Sequence, residues 1–171
     1  MHELLRNLES FFHNRDELPT LIHAGIAHAQ FETIHPFLDG NGRVGRLLIT
    51  LLLCERNVLQ QPLLYLSYYL KVHRARYYDR LMAIRHDGDW EGWLKFFLRG
   101  VSEVSQAATD TACAIINLRE KHRHQASQVS TDALNLLYFL YKKPIITIRM
   151  AQSELGCAYR TAAKVVESLE E

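Results

Sequence analysis

Apolar residues recur three and four positions apart through most of this chain, and no stretch sustains an alternation of apolar and polar residues, which commits the backbone to helices. The expected fold is all-α. Leu4, Leu5, Leu8, Phe11 and Phe12 form the stripe of a first helix. Asp16 is placed to cap a second, with Pro19 in its early turn and Leu21, Ile22, Ile26, Ala29 and Ile34 along it. Between His35 and Gly42 the periodicity stops, because Pro36 disfavours helix at the residue before it and Asp39-Gly40-Asn41-Gly42 is strong turn chemistry. Helix restarts at once, with Leu47, Leu48, Leu51 and Leu52 as its expected apolar face and Asn57 as its stop. Further helices are expected at 64–84, 89–104 and 105–122.

At 171 residues the chain can bury one helical core and a small second module. The expected division is a core over 1–104, a flanking helix and polar linker over 105–129, and a small module over 130–171. The linker rests on the stretch His122–Ser130, rich in His, Gln and Ser; His122 and His124 are read as part of its solvated surface. In the module Leu134, Leu137 and Tyr138 share a face, Pro144 breaks the helix, and Thr147 and Gly156 punctuate two short helices in helix-turn-helix style. Residues 145–171 resemble a winged-helix unit that stops where a wing would start, so the module is expected to be incomplete. Arg160 and Lys164 are its only cations on the second helix, and Glu167, Glu170 and Glu171 oppose phosphate contact. Dimerisation or target docking is therefore preferred to DNA binding there.

A hydrophobic fraction of 48% and a charged fraction of 23% are ordinary for a globular protein and argue against disorder. A formal net charge of +1 gives no overall pull towards nucleic acid or a membrane surface. Cys54, Cys113 and Cys157 are odd in number and widely spaced, which supports neither a disulfide framework nor a structural zinc site. The apolar run Leu47–Cys54 is too short to span a bilayer and no leader pattern opens the chain. A cytoplasmic location with no membrane partner is expected.

The loop His35-Pro-Phe-Leu-Asp-Gly-Asn-Gly-Arg-Val-Gly-Arg46 has the makings of an anion site beside a titratable base. Gly40 and Gly42 permit a tight turn whose N–H groups point inward at the start of a helix, where the dipole is positive. Arg43 and Arg46, spaced i, i+3, can reach the same side and bracket a polyphosphate. Cations at a helix N-terminus oppose the dipole, so two arginines there make sense when an anion lies between them. Asp39 offers a hard oxygen ligand suited to Mg²⁺ shared with phosphates. His35 is the group of the loop able to accept a proton near neutral pH. His23 and His28, five apart, do not form the i, i+4 pair of a zinc helix and are read as core or surface residues.

Position for position, this loop resembles the signature of the Fic family, His-x-Phe-x-Asp/Glu-Gly-Asn-Gly-Arg-x-x-Arg. The similarity extends to Gln30-Phe-Glu-Thr-Ile-His35 before it and to Tyr65-Leu-Ser67, Tyr77, Tyr78, Trp90 and Trp93 after it, covering about residues 3–104. The resemblance implies a Fic-type helical bundle that transfers AMP from ATP to a Ser, Thr or Tyr hydroxyl of a target protein. It implies His35 as the general base, Asp39 as the Mg²⁺ ligand and Asn41 on the α-phosphate. The amides of Gly40 and Gly42 would support the phosphates, with Arg43 and Arg46 on the β- and γ-phosphates. Phe37 is expected to anchor the loop in the core, and Tyr77 or Tyr78 to line an adenine pocket, most other tyrosines being packing residues. A homodimer is also implied.

Position 42 distinguishes branches of the superfamily, and two further features depart from the family's commoner pattern. The Doc-type kinases of the superfamily carry Lys where Gly42 stands and deliver the γ-phosphate, so glycine favours AMP transfer. The inhibitory pattern Ser/Thr-x-x-x-Glu-Gly/Asn, whose Glu pairs with the second loop arginine, is missing: no Ser or Thr here is followed four residues on by Glu. Arg46 is therefore expected to be free of a carboxylate clamp from its own chain. The family's target-holding β-hairpin also lies upstream of the loop, and the chain is expected to start after it, with activity impaired. The alternatives are another phosphate-ester transfer at the same site, and a DNA-binding regulator that uses the loop as a nucleotide sensor.

Overall fold

The computed structural model describes residues 1–14, 18–62 and 64–170, the last by its backbone alone. The expected cap at Asp16, the side chain of Glu170, and Glu171 lie outside the described residues. Among those described there are nine helices and no strand: α1 (His2–His13), α2 (Thr20–Ile34), α3 (Asn41–Glu55), α4 (Leu66–Val72), α5 (Arg74–Asp87), α6 (Trp90–Val129), α7 (Thr131–Lys142), α8 (Ile148–Leu155) and α9 (Tyr159–Glu170). The all-α expectation holds. Two compact units are formed, Met1–Thr109 and Asp110–Glu171.

Several helix boundaries differ from the sequence reading. The helices expected at 89–104 and 105–122, with the polar stretch after them, are one 40-residue helix, α6. No proline and only Gly100 interrupt the span from Trp93 to Val129, and a polar composition suits a solvated helix as well as a joint. The segment 64–84 is instead two helices, parted at His73, whose φ of −98° and ψ of 33° leave the helical region.

In the first unit α2 is enclosed on nearly every side, burying His23, Ala24, Gly25, Ala27, His28, Ala29, Phe31 and Glu32. Its small residues admit large neighbours. A Cβ on Gly25 would stand 3.0 Å from Phe97 and 3.1 Å from Leu94, and the Gly25 carbonyl accepts the indole N–H of the buried Trp93 at 2.9 Å. Ile49, Leu52 and Leu53 of α3 and Tyr69, Tyr77 and Leu81 of α4 and α5 complete this core.

The expected face of α3 is rotated. Gly45, Ile49, Leu52 and Leu53 turn inward, whereas Leu47 and Leu51 are each 56% exposed. Gly45 sets the phase, since it is the position at which α3 approaches Glu32, His28 and Phe31 too closely for a side chain. At the other end of α3, Arg56 donates to the carbonyls of Phe12 (3.2 Å) and Asn14 (3.1 Å). His23 donates to the Phe11 carbonyl at 2.7 Å and stacks on the Phe11 ring. Together they fasten the end of α1.

The second unit has its own core of Ala126, Ala133, Leu136, Leu137, Ala151, Ala162 and Val165. Tyr138, expected on the buried face of α7, is 37% exposed, and Leu136 takes that place. Ser130 caps α7 by accepting the Ala133 N–H, Thr147 caps α8 by accepting that of Met150, and Gly156 ends α8 at a φ of 60°. No helix among the described residues is long and apolar enough to cross a membrane.

Candidate functional site

Helix α2 ends on His35, whose φ of 50° and ψ of 58° are left-handed, with its N–H on the Phe31 carbonyl at 3.0 Å. For a residue with a Cβ this conformation costs roughly 1–2 kcal/mol, and it throws the chain sharply out of the helix with the His35 side chain exposed. Five residues on, Gly40 adopts a φ of 87° and accepts the N–H groups of both Arg43 and Val44 at 3.0 Å, starting α3. The N–H groups of Asn41 and Gly42 thus stand in the first turn of a 15-residue helix, where no earlier turn offers them a carbonyl.

Asn41 holds the loop together. Its side chain is 2% exposed, its Oδ1 accepts the Phe37 N–H at 2.9 Å, and its Nδ2 donates to the Phe37 carbonyl at 2.5 Å. Both polar ends of the amide are used on backbone, so the side chain expected to touch a phosphate shapes the loop. Phe37 itself is 48% exposed, its ring 6.2 Å from that of Phe31. The loop is therefore anchored through the Phe37 backbone more than through its ring.

Above the helix start, Arg43 pairs with Asp39 at 3.0 Å, both well exposed. The expected metal ligand and one expected phosphate ligand thus face the same solvent-open side. Among the described residues no group of three or more His, Cys, Asp or Glu side chains forms a metal cage. Asp39 alone fits a cation that brings most of its oxygen ligands from a bound polyphosphate and water.

Arg46, three residues beyond Arg43, is half-buried. A Cβ on Gly42 would meet its Nη1 at 3.0 Å, so glycine leaves room for the guanidinium to lie across the helix start. No ion pair within 4 Å is formed by Arg46 among the described residues. Yet a carboxyl not singled out as a site residue lies close by: Glu32 of α2 is 8% exposed and the positive charge of Arg46 acts on it. Burial raises the pKa of Glu32 above the ordinary carboxyl value, against the opposing pull of Arg46, His35, Tyr77 and Arg85. One of its oxygens, Oε1, is buried without a hydrogen-bond partner.

Beneath the loop His28 is fully buried and joins two elements. Its Nδ1 reaches the Gly45 carbonyl at 2.9 Å and its Nε2 the Tyr77 hydroxyl at 3.0 Å. Burial lowers its pKa to about 4, the Gly45 carbonyl opposing and Arg46 reinforcing the shift, so the ring is neutral at physiological pH. Tyr77 is 4% exposed and belongs to this floor; Tyr78, 50% exposed under the Arg74 guanidinium, is the more accessible of the two. His35, Gly40, Asn41, Gly42, Arg43, Arg46 and Asp39 thus share one loop and helix start, with Tyr77 under it.

Several proteins of known description are similar to parts of this chain. The chain is 41% identical over 56 residues, a third of its length, to a protein of Aquifex aeolicus named as a probable protein adenylyltransferase. It is 32% identical over 111 residues, 63% of its length, to the protein adenylyltransferase Fic of Aedes aegypti, and 34% identical over 88 residues, 52% of its length, to that of Culex quinquefasciatus. The matched segments span 18%, 20% and 15% of those three proteins, so the chain corresponds to a fifth or less of each. Residues 1–53, which contain α1, α2, the whole loop and most of α3, match the model of the Fic/DOC family.

Proposed function

We propose that the first unit is a Fic-type nucleotidyl-transfer site that moves AMP from ATP onto a Ser, Thr or Tyr hydroxyl of a target protein. The observation that carries this reading is the joining of an exposed His35 to an open helix start by a loop only five residues long, with two arginines in the first turn. A base and an anion cradle held that close suit attack of a deprotonated hydroxyl on a bound phosphate. The names of the similar proteins, and the match of residues 1–53 to the Fic/DOC family model, support the same reading.

In this reading His35 takes the proton of the target hydroxyl. The oxygen bonds to the α-phosphorus, and the bond from that phosphorus to the oxygen bridging to the β-phosphate breaks, so that pyrophosphate departs with the electron pair. The amides of Asn41 and Gly42 hold phosphate oxygens, while Asn41 keeps the loop in shape from below. Arg43 and Arg46 stabilise the charge that grows on the leaving group. Asp39 would hold Mg²⁺, whose chemistry is to neutralise phosphate charge, and Arg43 is released from Asp39 as the nucleotide arrives. Glycine at position 42 favours this orientation of ATP over the reversed one.

The test is to incubate the protein with ATP, Mg²⁺ and a cell extract and to search by mass spectrometry for side chains carrying AMP. Hydroxyl residues bearing AMP, absent when His35→Ala is used, support the reading. Phosphate in place of AMP on those side chains would move it to γ-phosphoryl transfer.

A further inference from the structure

Helix α2 ends where its own backbone cannot finish it. In a continued helix the Glu32 carbonyl would accept the N–H of residue 36, but that residue is Pro36 and has no such hydrogen. The Thr33 carbonyl would accept the N–H of Phe37, which is given instead to Asn41 Oδ1 at 2.9 Å. The last bond the helix makes for itself joins the His35 N–H to the Phe31 carbonyl at 3.0 Å.

Arg85 of α5, 53 positions further along the chain, serves the carbonyl that Pro36 leaves open, its Nη2 donating to Glu32 O at 2.9 Å. Its Nε lies 3.5 Å from the Thr33 hydroxyl, which itself donates to the Ala29 carbonyl at 2.8 Å. On its own helix Arg85 Nη1 reaches the Met82 sulfur at 3.9 Å. Each nitrogen of the guanidinium is engaged, so an exposed side chain is fixed on the last turn of α2. A cation suits that place, because unpaired carbonyls give a helix C-terminus a partial negative charge.

The turn held in this way is the one that delivers His35. Its left-handed exit, at a φ of 50° and a ψ of 58°, is unfavourable for a residue with a Cβ and persists where contacts fix the chain around it. Arg85 fixes the side before His35, and Asn41, through the Phe37 backbone, fixes the side after it.

We propose that Arg85 is a positioning residue for the base. It touches no reacting atom; it holds the final turn of α2 through the Glu32 carbonyl and so aims His35 at the start of α3. Without it the last turn of α2 frays, and the imidazole leaves the phosphate site for part of the time.

The kinetic consequence rests on the transfer site proposed above, whereas the clamp is present without any nucleotide, so the two claims fail separately. In the full chain without ATP, amide hydrogen exchange at His35 is expected to be about tenfold faster in Arg85→Met than in the native protein, with the acceleration confined to the last turn of α2. Unchanged exchange at His35, or equal acceleration throughout α2 and α5, would overturn the clamp. In AMP transfer from ATP to the proteins of a cell extract, Arg85→Met is expected to lower the maximal rate about tenfold and to leave KM for ATP within about twofold. Arg85→Lys, which keeps a charged donor, is expected to recover most of that loss. A raised KM with the maximal rate unchanged would make Arg85 a nucleotide ligand and overturn the proposal, as would a lysine variant no faster than the methionine one. Absence of AMP transfer by the native protein would overturn the transfer reading alone, and the exchange measurement would still decide whether Arg85 holds the turn.

Discussion

Asn41 grips the backbone of Phe37 at both its N–H and its carbonyl, through an amide that is 2% exposed. The turn from His35 to the start of α3 therefore depends on one buried side chain. Asn41→Ala is expected to lower stability by about 2 kcal/mol, since two hydrogen bonds to backbone are lost together. Transfer activity should fall more steeply than stability, because the released loop no longer aims His35 at the helix start. Urea unfolding and an AMP-transfer assay on the folded variant check the two effects.

Two glycines three residues apart should respond to alanine in different ways. At Gly45 the new methyl would press on Glu32, His28 and Phe31 at 2.5–3.2 Å, all held in the packed interior, so a net loss of about 2 kcal/mol is expected on unfolding. At Gly42 the nearest atom is the far end of Arg46, which can swing away. Gly42→Ala should leave stability within about 0.5 kcal/mol of the native protein. It should weaken ATP about fivefold, or 1 kcal/mol, in a titration of the purified variant.

The loop was legible in the sequence almost whole, because turn-forming residues and a base crowd into twelve positions whose chemistry is local. The helical class was legible for the same reason. What lay beyond reach were choices made by distant neighbours. Leu47 and Leu51 are as apolar as Leu52 and Leu53, and only the approach of α3 to α2 at Gly45 decides which pair is buried. Polar residues in 122–129 stay helical because nothing in the backbone stops them. His28 reads as a core or surface residue in one dimension, and nothing there singles out Glu32. They become the floor of the site only when Tyr77, which is 49 positions from His28, folds beneath the loop.

Arg56 is a second such residue, reaching back more than forty positions to the Phe12 and Asn14 carbonyls. Arg56→Met keeps much of the apolar stem and removes the donors. A loss of about 2 kcal/mol is expected, with amide hydrogen exchange rising first in the last turn of α1. Uniform acceleration across α1–α3 would argue against a local clasp.

Stability should also fall with acid in a window set by His28. Its folded pKa of about 4 lies below the value of about 6.5 for the unfolded chain, so the unfolded state binds more protons between them. The contribution is complete above pH 6.5 and is lost as pH falls towards 4, on the order of 3 kcal/mol in all. Glu32, shifted upward by burial, acts in the opposite sense, its contribution being present at low pH and lost as pH rises through its raised value. Urea unfolding across this range should show the fall, and His28→Gln should flatten it; an unchanged slope in the variant would place the acid sensitivity elsewhere.

The most direct test of the central claim compares two samples of ATP, one labelled at the α-phosphate and one at the γ-phosphate, incubated with Mg²⁺, a cell extract and either the native protein or His35→Ala. The account predicts label on protein from the α position alone, abolished by the substitution. Label from the γ position, or α label that survives the loss of His35, would contradict it.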